Sequence, residues 1–131
     1  MENEIHFNFE KLVVYQKSKD YVKLIYQLLE TFPKGEQYAL CDQLKRAAIS
    51  VPSNIAEGIS RQTAKDRMHF LDISYGSLME SFCQMDMARE LGYITEEELQ
   101  TVKVSVFDVY KLLAGLKNSL KTQGGTIRTN D

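Results

Sequence analysis

Two glutamates and two isolated histidines are the side chains of this sequence best suited to chemistry: Glu57, Glu80, His6 and His69. Paired carboxylates can act as general acid and base when they stand at a matched distance, but no motif brings Glu57 and Glu80 together. Di-metal sites in helical bundles use Glu-x-x-His motifs, and the sequence contains none. We therefore predict no catalytic residue, no metal ligand, no cofactor and no small-molecule substrate, and we expect the chain not to be an enzyme.

The two cysteines, Cys41 and Cys83, lie far apart, and each falls within a helical pattern. A disulfide framework would place more cysteines among turn residues, and a zinc site would need histidines close by. Reduced core thiols are the predicted state, which favours a cytoplasmic protein. No apolar run approaches the roughly 20 residues of a membrane helix, and the acidic N-terminus has no signal-peptide pattern, so we predict no membrane partner.

The segment SVPSNIAEGISR, residues 50–61, interrupts a helical pattern with a proline. An interior proline costs a helix roughly 3 kcal/mol, because it removes a hydrogen bond and collides with a carbonyl of the preceding turn. The apolar positions nevertheless keep their helical spacing through the proline, at Ala47, Val51 and Ile55. We therefore predict a second helix that is kinked near Pro52 and continues to about Gly58 or Arg61.

The polar and small residues around Pro52 have structural explanations. Ser50, Ser53 and Asn54 can bond to the backbone groups that a proline leaves without partners. Gly58 either ends the helix or lets a neighbouring chain approach closely. A phosphate-binding loop would need a strand and a glycine-rich turn, and neither occurs here. The stretch is therefore predicted to be structural rather than catalytic.

Apolar residues recur at helical spacing in four segments, which predicts four helices. The first runs from about Phe9 to Phe32 with Asn8 as its cap, and the second is the one with the proline. The third begins after Thr63 and the fourth after Thr95, both of which are favourable N-cap residues.

Short connections between four long helices imply antiparallel neighbours. The predicted fold is therefore an all-α, antiparallel up-down-up-down four-helix bundle over residues 9–121. An N-terminal arm is expected at residues 1–8 and a flexible tail at residues 122–131. Gly92 fits the left-handed position that follows the third helix.

The chain is nearly neutral, with a net charge of −2 and a pI near 5.7, which argues against a generic cationic coat for nucleic acid. In an up-down bundle, residues 9–23, 52–74 and 108–121 meet at one end and carry a net charge of +4, whereas the other end carries −4. Solvated charge is the simpler interpretation, and phosphate binding is the functional one. The candidate nucleic-acid-binding residues at this basic end are Lys11, Lys17, Lys19, Arg61, Lys65, Arg67, Lys117 and Lys121.

The chain also resembles the bacterial 23S ribosomal RNA intervening-sequence proteins, formerly labelled S23 ribosomal proteins. The matching stretches are FEKLVVYQKS at 9–18, FPKGEQYAL at 32–40, QLKRAAISVPSNIAEGISR at 43–61, FLDISYGSLME at 70–80 and ARELGYI at 88–94. The SVPSNIAEG core is the specific part of this pattern. The residues that carry the family pattern, with an expected structural role, are Ser50, Pro52, Asn54, Glu57, Gly58, Gly76 and Gly92.

The resemblance implies an antiparallel four-helix bundle that assembles into a homopentamer. It also implies kinship with the accessory variability protein of diversity-generating retroelements, a relative associated with nucleic acid and a reverse transcriptase. The family as a whole has no established enzymatic activity. Two functions are therefore expected of this chain. One is a homo-oligomeric scaffold in a protein or ribonucleoprotein assembly, and the other is direct electrostatic binding of RNA or DNA through the basic end.

Overall fold

A computed structural model describes residues 4–122 of the chain, with side chains through Lys121. In this part of the chain there are four α-helices, two short 3-10 turns and no strand, which confirms the predicted all-α bundle. The helices are α1 Val13–Leu29, α2 Leu40–Ile59, α3 Ala64–Glu90 and α4 Glu96–Thr122, and the 3-10 turns are Asn8–Lys11 and Lys34–Glu36. Apart from Thr122, which ends α4, the tail predicted at 122–131 lies outside the described residues.

Local signals set the start of α3 and α4 as predicted. The Asp66 backbone N–H donates to the Thr63 hydroxyl at 3.2 Å, so Thr63 caps α3. The Glu98 N–H donates to the Thr95 hydroxyl at 3.0 Å, and the Thr95 N–H donates to the Glu98 carboxylate at 2.8 Å. This reciprocal pair is the capping box of α4. Between the two helices, Gly92 has a φ of +82°, the left-handed conformation expected of it.

The first helix differs from its prediction because the chain breaks before α1 begins. Leu12 is extended, with a ψ of 132°, and it separates the first 3-10 turn from α1. The Glu10 carboxylate accepts the Phe7 backbone N–H at 2.8 Å and so caps this turn. Asn8 is therefore not the cap. Its side-chain amide donates instead to the carbonyl of Ile59 at 3.4 Å and ties the turn to the end of α2.

Helix α2 continues through Pro52 to Ile59, as predicted from the apolar spacing. The Asn54 side-chain amide donates to the Ser50 carbonyl at 2.8 Å, one of the backbone contacts expected near a proline. Ser53 is exposed and has no side-chain hydrogen bond with any described residue. The kink at Pro52 stays a prediction.

The helices contact one another in a cycle, α1 with α2, α2 with α3, α3 with α4, and α4 with α1. Along the α2–α3 contact, Ser50 meets Ser77 and Gly58 meets Phe70, so rising residue numbers on one helix face falling numbers on the other. This order is the one expected of antiparallel neighbours. The grooves α1–α2 and α3–α4 therefore lie on opposite sides of the bundle.

All four helices fill the core with apolar side chains, and Tyr21 brings a hydroxyl into its centre. The Tyr21 hydroxyl lies 2.6 Å from the hydroxyl of Ser81, which also donates to the Leu78 carbonyl at 2.9 Å. Burial raises the pKa of Tyr21 to about 12, although its hydrogen bond with Ser81 opposes the shift. None of the helices in the described part of the chain has the length and apolar character needed to cross a membrane.

Candidate interaction surfaces

The residues around Pro52 form one side of a hydrogen-bonded α2–α3 seam. The Ser77 hydroxyl and the Asn54 amide both donate to the Ser50 hydroxyl oxygen at 2.8 Å. The buried Ser74 hydroxyl donates to the carbonyl of Val51, also at 2.8 Å. Polar groups inside a protein are nearly always hydrogen-bonded, and these residues supply one another with partners across the seam. The contacts support a structural role for Ser50 and Asn54.

Gly58 lies at a point where α2 and α3 approach closely. A Cβ atom at this position would lie 3.0 Å from the Cβ of Phe70 and 3.2 Å from the backbone oxygen of Arg67. Neither atom is the far end of a flexible side chain, so a larger residue would push the helices apart. Of the two explanations predicted for Gly58, close approach is the one that the structure supports, because α2 extends one residue beyond it to Ile59.

The other motif residues lie on the surface and do not gather into a reactive site. The Glu57 carboxylate is 2.7 Å from the guanidinium of Arg61, the ion pair expected at this i, i+4 spacing. Glu80 accepts a hydrogen bond from Gln84 at 3.3 Å, so the two glutamates have separate partners. Gly76 is exposed, and a Cβ there would meet no atom within 4 Å. No three His, Cys, Asp or Glu side chains gather as a metal site in residues 4–121.

The two cysteines differ in their surroundings. Cys41 is buried, and burial raises the pKa of its thiol, with Lys45 opposing the shift. This is the environment of an unreactive core thiol. Cys83 is exposed, so the prediction of a core thiol is wrong for this residue. It lies on α3, within the helical pattern but on the side of the helix that faces solvent.

The basic candidates are distributed over the first 3-10 turn and the helices. The Nε of Arg67 donates to the backbone carbonyl of Arg61 at 2.7 Å, so these two residues are neighbours. Lys117 pairs with Asp72 and joins α4 to α3. Lys11 lies in the 3-10 turn, Lys17 and Lys19 in α1, Arg61 just after α2, Lys65 and Arg67 in the first turn of α3, and Lys117 and Lys121 near the end of α4.

Ion pairs remove part of the positive charge of this set. Arg61 is compensated by Glu57, and Lys117 by Asp72. Lys19 lies over the ring of Tyr15, 4.9 Å from its centroid. The exposed candidates that form no ion pair with any described residue are Lys11, Lys17, Lys65 and Lys121.

Carboxylates surround a single arginine near the turn between α3 and α4. Arg89 lies 3.0 Å from Asp86, 2.6 Å from Glu90 and 3.4 Å from Glu96. The hydrogen bond to Asp86 is the main reason that the pKa of Arg89 is raised. One cation therefore faces three carboxylates here, in agreement with an acidic character for this region.

The α3–α4 side carries an aromatic groove that the sequence did not reveal. Three rings lie in a row, with centroids 5.8 Å apart between Tyr75 and Tyr110 and 6.1 Å apart between Phe107 and Tyr110. They border an almost wholly apolar cavity of about 250 Å³. We define the aromatic groove by the residues that line this cavity, Tyr75, Met79, Phe82, Lys103, Val106, Phe107 and Tyr110. The sequence signal that could have indicated this groove is a second apolar stripe on α4, through Val104 and Phe107.

The α1–α2 side carries a second groove beside Pro52, with a volume of about 470 Å³. We call it the proline groove; its apolar lining comes from Phe9, Tyr15, Val22, Ile49, Pro52 and Ala56. The described part of the N-terminal arm leads into it, since the Phe7 ring lies nearly parallel to that of Phe9 at 6.3 Å. Two apolar side chains of the arm are open to solvent, Ile5 with 80% and Phe7 with 62% of its surface exposed.

The comparisons with known proteins agree with this architecture. A crystal structure from Bacteroides thetaiotaomicron, described as a protein with unknown function from the S23 ribosomal protein family, superposes with a TM-score of 0.71. It is 23% identical, over 80% of this chain and 98% of that chain, a level at which the likeness supports the fold alone. No curated protein matches the chain. The model of the 23S rRNA-intervening sequence protein family matches residues 10–115, and the chain therefore belongs to that family.

Proposed function

We propose that this protein is a non-enzymatic, homo-oligomeric four-helix bundle that acts as an interaction scaffold in a protein or ribonucleoprotein assembly. The observation that carries the proposal is an exposed apolar arm beside an open apolar groove. The family resemblance adds the expectation of five copies, and the predicted reduced thiols add that of a cytoplasmic location. The kinship with the accessory variability protein is part of the same proposal and favours a partner that is itself a protein or ribonucleoprotein.

The arm and the proline groove are complementary in character. Ile5 and Phe7 are mostly exposed, and no described residue covers the groove next to Pro52. Burying apolar surface is favourable by roughly 25 cal/mol per Å², so both features gain from a contact with another chain. Two different patches on one chain make a heterologous contact, which generates a ring when the rotation closes. A second copy, whose arm enters the groove of the first, satisfies both surfaces.

Solution mass measured by light scattering tests this contact. Five copies of the 15.1 kDa chain would give about 75 kDa. Phe7→Ser should shift the particle towards the monomer, because it removes an apolar ring from the contact. Val104→Ser is the matched control, since Val104 has the same 62% exposure but lies on α4.

A monomeric wild-type chain would contradict the proposal, and so would a Phe7→Ser variant with unchanged mass. Pro52→Ala sharpens the test, because Pro52 lines the groove and is the residue at which a kink is predicted. We expect this variant to keep its helical circular dichroism while its oligomer size changes.

The second candidate function is electrostatic binding of nucleic acid by the basic end. The observation in its favour is the set of exposed cations without ion pairs in the described residues, Lys11, Lys17, Lys65 and Lys121. Copies placed side by side would add their fields. For duplex DNA, removal of each lysine that neutralises a phosphate should reduce the slope of log affinity against log salt by about 0.9.

A Lys11→Gln, Lys65→Gln variant should therefore lower this slope by up to about two units. Lys34→Gln is the control, because Lys34 is exposed but lies outside the candidate set. An affinity that does not weaken as salt rises would exclude this second candidate.

A further inference from the structure

The aromatic groove presents ring faces to solvent. Phe107 is 54% exposed, and Tyr75 and Tyr110 are each more than one-third exposed. The rings of Phe107 and Tyr110 are close to parallel, with an interplanar angle of 26°. Such faces are costly to leave in water, and they are the surface on which a flat heteroaromatic base stacks.

Three lysines of α4 lie over rings that line the groove. The Nζ of Lys103 is 5.8 Å from the centroid of Phe82, that of Lys111 is 4.9 Å from Phe107, and that of Lys117 is 5.7 Å from Tyr75. Lys103 and Lys111 form no ion pair with any described residue. The groove thus combines partly exposed rings with two lysines that have no carboxylate partner among the described residues and are available for another anion.

The combination of rings and lysines extends along one side of the bundle and is not confined to a single point. A mixed polar and apolar cavity of about 510 Å³, which includes Lys117 and Lys121, shares Tyr75 and Tyr110 with the aromatic groove. From Lys103 to Lys121, α4 rises about 27 Å at 1.5 Å per residue. This length is sufficient for several successive bases and their phosphates.

We propose that the aromatic groove binds single-stranded nucleic acid, with bases stacked on Phe107 and Tyr110 and phosphates at Lys103 and Lys111. Stacking on aromatic side chains inside a positively charged groove is how proteins bind single strands without sequence preference. A duplex keeps its bases stacked on one another and offers only its backbone to such a surface. A second copy is assigned instead to the proline groove, because the exposed apolar side chains of Ile5 and Phe7 lie beside that groove.

This inference rests on the nucleic-acid candidate above and deepens it by naming a strand form and a site that extends from the aromatic groove to Lys117 and Lys121 of the basic end. Fluorescence anisotropy with a labelled oligouridine and with an RNA hairpin duplex of equal length tests it. Phe107→Leu keeps an apolar side chain but removes a ring, and it should weaken single-strand binding by about 5- to 150-fold, the effect of removing the stacking of one base. Its salt slope should stay unchanged.

A Lys103→Gln, Lys111→Gln variant should instead lower the single-strand salt slope by about 1.4, twice the value for one neutralised phosphate. Tyr38→Leu and Lys34→Gln are matched controls, since Tyr38 is 84% exposed and both residues precede α2, away from the groove. Both control variants should bind like the wild type. Circular dichroism checks that each variant is folded.

Three outcomes overturn the inference. Equal affinity for the single strand and the duplex would show that base stacking does not contribute to binding. Abolished binding in the Lys11→Gln, Lys65→Gln variant alone would leave the basic end as the site and exclude the groove. A Phe107→Leu variant that changes the oligomer mass, in a protein that binds no oligouridine, would assign the groove to a second copy. The scaffold proposal is tested separately by the mass of the Phe7→Ser variant, so the two fail independently.

Discussion

Helix α3 packs against α2 and against α4 in opposite ways. Against α2 it presents small side chains and a close contact with a glycine, with Ser74 and Ser77 bonded across the seam. Against α4 it presents large side chains such as Tyr75 and Phe82, which keep a groove open between the helices. Small residues allow backbones to come close and bury hydrogen bonds, whereas large rings hold helices apart and remain exposed. The seam therefore stabilises the fold, whereas the groove is available for binding.

The largest expected effect is at the close approach of α2 and α3 at Gly58. Gly58→Ala places a Cβ 3.0 Å from the Cβ of Phe70. Overpacking of this kind costs about 1–3 kcal/mol, partly offset by the better helix propensity of alanine. Gly76→Ala is the control on the open side of α3, where a Cβ meets nothing, and it should stabilise by up to about 1 kcal/mol.

Urea unfolding of both glycine variants gives the comparison directly. A Gly58→Ala variant as stable as Gly76→Ala would show that the seam has room to relax. The two regions would then differ in composition but not in tightness.

The buried hydroxyl of Tyr21 gives a pH-dependent test of the interior. Its pKa is raised to about 12 by burial, while in the unfolded chain it titrates near 10. The folded state therefore holds this proton after the unfolded state has released it, so the stabilising contribution is complete below pH 10 and disappears as pH rises towards 12. The slope should be about 1.4 kcal/mol per pH unit in this window.

Urea midpoints of the wild type and Tyr21→Phe between pH 9 and pH 11.5 measure this contribution. The variant cannot titrate at residue 21, so its stability should fall less steeply with pH. If both proteins show the same slope, the Tyr21 hydroxyl reaches water in the folded state.

A smaller effect is expected from one hydrogen bond of the seam. Ser74→Ala removes the bond to the Val51 carbonyl and should cost about 1 kcal/mol of unfolding free energy. Ser53→Ala changes an exposed serine of α2 that has no such bond and should stay within about 0.5 kcal/mol of the wild type. Equal stabilities for the two variants would mean that the seam is held by packing alone.

The smallest effect on stability is expected at the exposed side of the groove. Phe107→Gln removes a ring that is 54% exposed and should change the unfolding free energy by no more than about 0.5 kcal/mol. Thermal or urea unfolding measures this. A destabilisation as large as that of Gly58→Ala would show that Phe107 stabilises the fold. The two sides of α3 would then not differ in their contribution to stability.

Structural features that depend on residues close together in the sequence were predictable. The caps at Thr63 and Thr95 and the left-handed Gly92 follow from residue types within a few positions of one another, and the structure has all three. The continuity of α2 through Pro52 followed from the spacing of apolar residues. Each of these is a local signal that does not depend on how helices meet.

Features that depend on the meeting of helices were not predictable. Gly58 and Gly76 look alike in the sequence, yet only Gly58 faces another backbone. The aromatic groove joins Tyr75 of α3 to Tyr110 of α4, 35 positions apart, and only the packing of the bundle makes them neighbours. An amphipathic helical pattern predicts a core position for Cys83, but the side of α3 that turns outward is fixed by the helices packed against it.

The buried hydroxyls also fix the register of the bundle. A heptad pattern by itself is nearly indifferent to a slide of one helix by seven residues, about 10 Å along its axis. In one direction, such a slide of α3 would carry Ala88 to the place of Ser81 and leave the Tyr21 hydroxyl buried without its partner. In the other direction, it would put Phe70 where Ser77 now bonds across the seam. The apolar residues alone would accept several alignments of these helices. The hydrogen bonds of the serines favour one of them.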